Sequence, residues 1–89
     1  MMRRTITIIN KLGLHARATA KLVATASAYQ SSVRISGKGR EVDAKNIMQV
    51  MMLAASQGTE VELIAEGPDE QLAIEALTEL INDYFGEGE

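Results

Sequence analysis

Residues 10–22 read Asn10-Lys11-Leu12-Gly13-Leu14-His15-Ala16-Arg17-Ala18-Thr19-Ala20-Lys21-Leu22, and the change of pattern inside them decides the fold. Before them, Arg4-Thr5-Ile6-Thr7-Ile8 alternates and is β-branched, which predicts a strand with Ile6 and Ile8 on its core face. Asn10-Lys11-Leu12-Gly13 has the chemistry of a turn. From Ala16 to about Ala28 the chain is made of helix formers without glycine or proline. Leu22, Val23, Ala26 and Tyr29 recur at helical spacing, and Arg17, Lys21 and Thr25 share the other side. The only histidine, His15, stands where the turn becomes the helix.

Outward from this junction the pattern continues. Ser32–Ser36 alternates with Val33 and Ile35 inward, Gly37-Lys38-Gly39 is a tight connection, and Glu41–Ala44 returns as the second arm of a hairpin. Asn46–Ala55 is apolar nearly all round, with Asn46 as N-cap and Gly58 as stop, which predicts a short helix. Its core face is assigned to Val50, Leu53 and Ala54, leaving Ile47, Met48 and Met51 outside. Glu60–Ala65 alternates as a strand with Val61, Leu63 and Ala65 inward. After Gly67-Pro68-Asp69 a last helix is expected, with Leu72, Ala76, Leu77, Leu80, Ile81 and Tyr84 on one stripe. The tail Gly86-Glu87-Gly88-Glu89 is expected to be frayed. The order β-α-β-β-α-β-α in one domain over residues 1–89 suggests a single sheet covered by helices on one face. Pattern alone leaves the strand order open.

Composition removes several classes of function. There are no cysteines, and with a single histidine a metal site lacks ligands. No apolar stretch reaches the roughly 20 residues that span a bilayer, and the start reads as a strand rather than a signal peptide. The net charge of −3 and 3% aromatic content argue against nucleic acid as partner. All nine lysines and arginines lie at or before Lys45, and after Ser56 every charge is acidic, so a basic patch near the first helix is expected despite the acidic total.

The position of His15 is chemically pointed. The first N–H groups of a helix have no intrahelical partners, and the macrodipole adds partial positive charge there. Such an end favours an anion and a neutral, nucleophilic imidazole. Arg17 adds forked donors suited to phosphoryl oxygens. Nucleophile, free amides of Ala16, Arg17 and Ala18, and a guanidinium together describe a transient phosphohistidine site.

LGLHARATAKL resembles the active-site segment of the HPr family, the histidine-containing phosphocarriers of the bacterial phosphoenolpyruvate-dependent phosphotransferase system. AKNIMQVMMLAASQGTEVEL and GPDEQLAIEALTELI are similar to the family's second segment and closing helix, so the likeness covers nearly the whole chain. It implies an α+β fold, an open-faced β-sandwich with a four-stranded antiparallel sheet and three helices on one face. It implies a phosphoryl carrier rather than an enzyme, acting in the cytoplasm as a monomer without cofactor. His15 would accept phosphate on Nδ1 from phosphorylated Enzyme I and pass it to an A-component of a permease or a regulator, with Arg17 steadying the phosphoryl oxygens. Ile47, Met48 and Met51 would dock partners, and Lys11, Lys21 and Lys45 would ring the patch.

Three letters depart from the family pattern. Ala18 stands in place of a usual proline and restores an N–H. Asn46 stands where many members have a regulatory serine, so control by phosphorylation there is absent. Gln49 replaces a common glycine. Asn10–Gly13 and Met51–Leu53 look somewhat like the nitrogen-related and proteobacterial versions rather than sugar-uptake carriers. The competing readings are a non-phosphorylated regulatory binding module of the same fold and, last, a hydrolase using His15 as general base.

Overall fold

The computed structural model describes residues 1–88. Strands β1 (Met2–Thr7), β2 (Ser32–Gly37), β3 (Arg40–Asp43) and β4 (Glu60–Glu66) form one sheet in the order β1-β4-β2-β3. Every neighbouring pair is antiparallel, with Ile6 opposite Val61, Ile35 opposite Leu63 and Ile35 opposite Val42. Helices α1 (Ala16–Ser27), α2 (Ile47–Met52) and α3 (Glu70–Asn82) cover one face. The expected open-faced α+β sandwich is therefore the observed one. Among the described residues no helix is long and apolar enough to cross a membrane.

Alternation sends Val33, Ile35, Val61, Leu63 and Ala65 under the helices, where they meet Leu22 and Ala26 of α1 and Ile74, Leu77 and Ile81 of α3. Each of the large aliphatic side chains contributes about 1.5–3 kcal/mol through burial. The far face of the sheet carries ion pairs at its surface, Arg3 with Glu62 and Arg34 with Glu41. Ile64 is buried on that face, with Arg3 and Arg34 as its neighbours across the two adjoining strands. The β2–β3 hairpin turns through Lys38 and Gly39, both at positive φ (53° and 78°), as a two-residue turn of matching twist requires.

Several expectations need correction. The second helix ends at Met52 rather than Ala55, because Ala54 turns to φ 53° and Ala55 is drawn inward, its carbonyl accepting from Leu14 N–H at 2.8 Å. Ala54 is exposed and Ala55 is the buried residue, with Val50 and Leu53 as expected. On α3 the buried stripe is Ala73, Ile74, Leu77 and Ile81; Leu72 and Tyr84 lie outside it, exposed. Ala73 and Ile74 begin the buried face, so the stripe is rotated from the expected one. The tail is not frayed at Gly86 and Glu87, whose N–H groups donate to the carbonyls of Asp83 and Tyr84. A 3₁₀ turn, Tyr84–Gly86, folds it back, and Phe85 is the largest fully buried side chain in the core. Glu89 lies outside the described residues.

Candidate phosphoryl site at the start of α1

The turn that delivers His15 is braced from within. Gly13 N–H donates to Asn10 carbonyl at 3.1 Å, and Asn10 Nδ2 donates back to Gly13 carbonyl at 2.8 Å. Gly13 sits at φ 65°, the left-handed region that favours glycine, and presses on the end of α2. Leu14 is buried, and Thr19 Oγ donates to its carbonyl at 3.1 Å. His15 is thereby held between a locked turn and the first turn of the helix.

His15 occupies the N-cap position of α1 with extended backbone (φ −75°, ψ 178°) and no side-chain capping bond. Its carbonyl accepts from Thr19 N–H at 2.9 Å. The amides of Ala16, Arg17 and Ala18 are then the orphan donors of the first turn. Ala18 itself points its methyl into the core, fully buried, while its backbone belongs to this end.

The imidazole is half-buried and its Nε2 bonds the carboxylate of Glu87. The second oxygen of that carboxylate accepts from Asn10 Nδ2 at 3.0 Å. Burial alone would raise the Glu87 carboxyl. Hydrogen bonds from His15 and Asn10, with the charge of Lys21 and that of His15 whenever its ring is protonated, outweigh it and hold the group below the usual carboxylate range. Glu87 is thus ionised at neutral pH and acts only as acceptor, so Nε2 is the donor. Nδ1 makes no hydrogen bond among the described residues.

A cleft of about 680 Å³ opens beside the ring. Besides His15 it is lined by Lys11, Leu12, Ala16, Arg17, Lys21, Gly86 and Glu87. Arg17 is exposed there and makes no ion pair among the described residues, so its guanidinium is available to an anion. Lys21 is engaged differently from expectation, its Nζ donating to Phe85 carbonyl at 2.6 Å. Lys45 does not line the cleft, and its Nζ donates to Tyr29 carbonyl at 2.7 Å. Both lysines anchor backbone, and Lys11 is the exposed one.

On α2, Asn46 Oδ1 accepts from Gln49 N–H at 3.0 Å, the N-cap bond expected of it. Ile47, Met48, Met51 and Met52 are exposed, and Leu12 adds a fifth apolar side chain on the turn. Among the described residues no group of three or more His, Cys, Asp or Glu is placed to hold a metal ion.

Sequence reasoning missed Glu87, Asn10 as its holder, and the Lys21–Phe85 anchor. One signal was available: the only phenylalanine precedes the glycine-rich tail, and such a residue seeks the core. Nothing in the letters tells which way the chain turns after it.

Comparison with known proteins agrees along the whole chain. A family model described as "PTS HPr component phosphorylation site" matches residues 2–83. The phosphocarrier protein HPr of Cupriavidus necator is 60% identical over 89 residues, covering all of both chains. HPr-C-His from Thermoanaerobacter tengcongensis superposes with a TM-score of 0.95 at 49% identity, over 98% of each chain. The HPr dimer from the same organism superposes at 0.79, with 49% identity over 98% of this chain and 100% of that one. With a histidine at the head of α1, an open-faced sandwich behind it and relatives of this identity, the chain belongs to the HPr family of phosphocarriers of the phosphotransferase system.

Proposed function

We propose that His15 is the residue of this chain that carries the phosphoryl group, on Nδ1, and that Arg17 and the amides of Ala16, Arg17 and Ala18 hold its oxygens. The observation that carries this reading is the division of labour on the ring: Nε2 is occupied by Glu87, and Nδ1 beside the cleft is the nitrogen without a partner among the described residues. The orphan amides and a guanidinium supply donors where negative charge arrives.

The donor in this reading is phosphorylated Enzyme I and the acceptor an A-component of a permease or regulator. The exposed Ile47, Met48 and Met51 support docking of such partners, since they form an adaptable apolar patch on the helix tied to the His15 turn. We further propose that residues 1–89 act as one cytoplasmic domain, a monomeric carrier that is consumed and regenerated rather than an enzyme. The nitrogen-related branch is proposed over sugar uptake on the letters Asn10–Gly13 and Met51–Leu53. Absence of serine control follows from Asn46, which offers a cap oxygen and no hydroxyl.

The test is incubation with phosphoenolpyruvate and a matching Enzyme I. Acid-labile phosphate is expected on the wild-type chain and none on His15→Ala. Equal labelling of the two removes the assignment. Sedimentation of the purified chain tests the monomer, and capture of acceptors by the phosphorylated form separates the two branches.

A further inference from the structure

The segment after α3 returns to the site by an unusual route. Tyr84, Phe85 and Gly86 all have positive φ, at 57°, 53° and 75°. Two of these are not glycine, and a side chain with a Cβ is strained in this region. Burial of the Phe85 ring offsets that cost, and Lys21 Nζ fastens the Phe85 carbonyl. Glu87 emerges from this anchor with one carboxylate oxygen on His15 Nε2 and the other on Asn10 Nδ2, whose residue is itself fully buried. The carboxylate is therefore placed by three separate elements rather than swinging on a free tail.

We propose that Glu87 is a positioning residue for the phosphoryl relay, holding the Nε2 proton of His15 through the whole cycle so that Nδ1 both attacks and leaves in the right form. This rests on His15 being the carrier. In the neutral form of the ring, which is the nucleophile, the contact with Glu87 puts the proton on Nε2 and leaves the lone pair on Nδ1. On transfer, that lone pair forms the N–P bond while the bond from phosphorus to the donor breaks, its electron pair staying with the donor. The ring keeps its Nε2 proton and becomes cationic, and the Glu87 carboxylate pairs with the new charge. On delivery the N–P bond breaks, its electron pair returns to Nδ1, and the ring leaves as neutral imidazole with the same proton in place. Without the carboxylate, the phosphorylated ring loses that proton more readily and becomes a poorer leaving group. The other charged groups at the cleft are Lys11, Arg17 and Lys21, all cationic, and each works against a cationic ring. Among the described residues Glu87 is the one anion lining the cleft, and it opposes them.

Two measurements on the full chain decide this. In the first, wild type and Glu87→Gln are phosphorylated, and release of phosphate is followed from pH 5 to 9. The falling limb is expected to move to lower pH in the variant by about one pH unit, a roughly tenfold loss of rate at fixed pH on that limb. Superimposable profiles from the two phosphorylated proteins overturn the proposal. The second needs no phosphate: nitrogen-15 spectra of the unphosphorylated ring. A slowly exchanging Nε2–H signal is expected in wild type and lost in Glu87→Ala, with backbone amide shifts of the sheet unchanged as the check of folding. Equal exchange in both overturns the contact. Failure of wild type to take phosphate removes the carrier assignment of His15, while the nitrogen-15 measurement still decides whether Glu87 holds the ring.

Discussion

Gly13 and Ala55 meet backbone to backbone: a methyl group added to Gly13 would lie 2.6 Å from the Ala55 carbonyl oxygen and 2.7 Å from Ser56 Cα. That same carbonyl accepts the Leu14 N–H, so the turn presenting His15 and the end of α2 are a single joint. Gly13→Ala is expected to lose about 2–4 kcal/mol, from positive φ in a residue with a Cβ and from the overlap. Urea unfolding checks the stability. In the fraction that remains folded, phosphorylation is expected to slow, because the joint that sets His15 has shifted.

Much of this joint was legible in the letters. Asn10–Gly13 before a run of helix formers marks a strand–turn–helix, and His15 at the boundary marks the orphan amides. Alternation also placed Val33, Ile35, Val61 and Leu63 correctly in the core. Misread were the places where long-range contacts overrule local pattern. Helical spacing puts Ala54 on the core face beside Val50 and Leu53, yet Leu14 captures the Ala55 carbonyl and the helix stops. Leu72 fits an apolar stripe, yet Ala73 and Ile74 face the sheet instead. Glycines flanking Glu87 suggest a loose tail, and only the burial of Phe85 reverses that.

Phe85→Ala follows from the last point. Removing a fully buried ring is expected to cost about 3–5 kcal/mol, read from the denaturant midpoint. The loss has a second readout, because Glu87 depends on this anchor. The protected Nε2–H of His15 is expected to exchange faster even under conditions where the domain stays folded. A variant that loses stability but keeps the protected proton would show that Glu87 is placed without Phe85.

Met48 is 70% exposed, so its role is separable from folding. Met48→Asp is expected to change stability by less than about 0.5 kcal/mol. It should raise the concentration of phosphoryl donor needed for half-maximal labelling about tenfold, as expected for a charge placed in an apolar contact. Labelling kinetics at varied donor concentration separate this from a loss of His15 reactivity, which would lower the maximal rate instead.

Asn46 caps α2 through Oδ1, and α2 is only six residues long, so the cap is a large share of its local stability. Asn46→Ala is expected to cost about 1 kcal/mol, and Asn46→Ser far less, since serine is also a good N-cap. Thermal unfolding of the three proteins gives the ranking. The serine variant additionally restores a hydroxyl at this position, so labelling by a serine kinase would isolate the effect of that hydroxyl from the effect of the cap.

A pH-sensitive tie lies away from the site, at Asp69. Its carboxylate accepts from Ser31 Oγ at 2.5 Å and from the backbone N–H groups of Gln30 and Ser31, both at 2.9 Å, joining the end of α1 to the start of α3. These bonds, Ser31 Oγ foremost, lower the group from an ordinary 3.8 to about 2. The unfolded chain therefore binds a proton here at a higher pH than the folded one. The contribution is complete above about pH 5 and declines as pH falls through 3.8 toward 2. Asp69→Asn removes the ionisable group and turns an amide toward donors that need acceptors. It is expected to destabilise the protein at pH 7 and to flatten the stability profile between pH 5 and 2, leaving the slope due to Glu70 and Glu87. Urea midpoints measured across that range check both parts. Parallel profiles for the two proteins would show that Asp69 protonates alike in the folded and unfolded states.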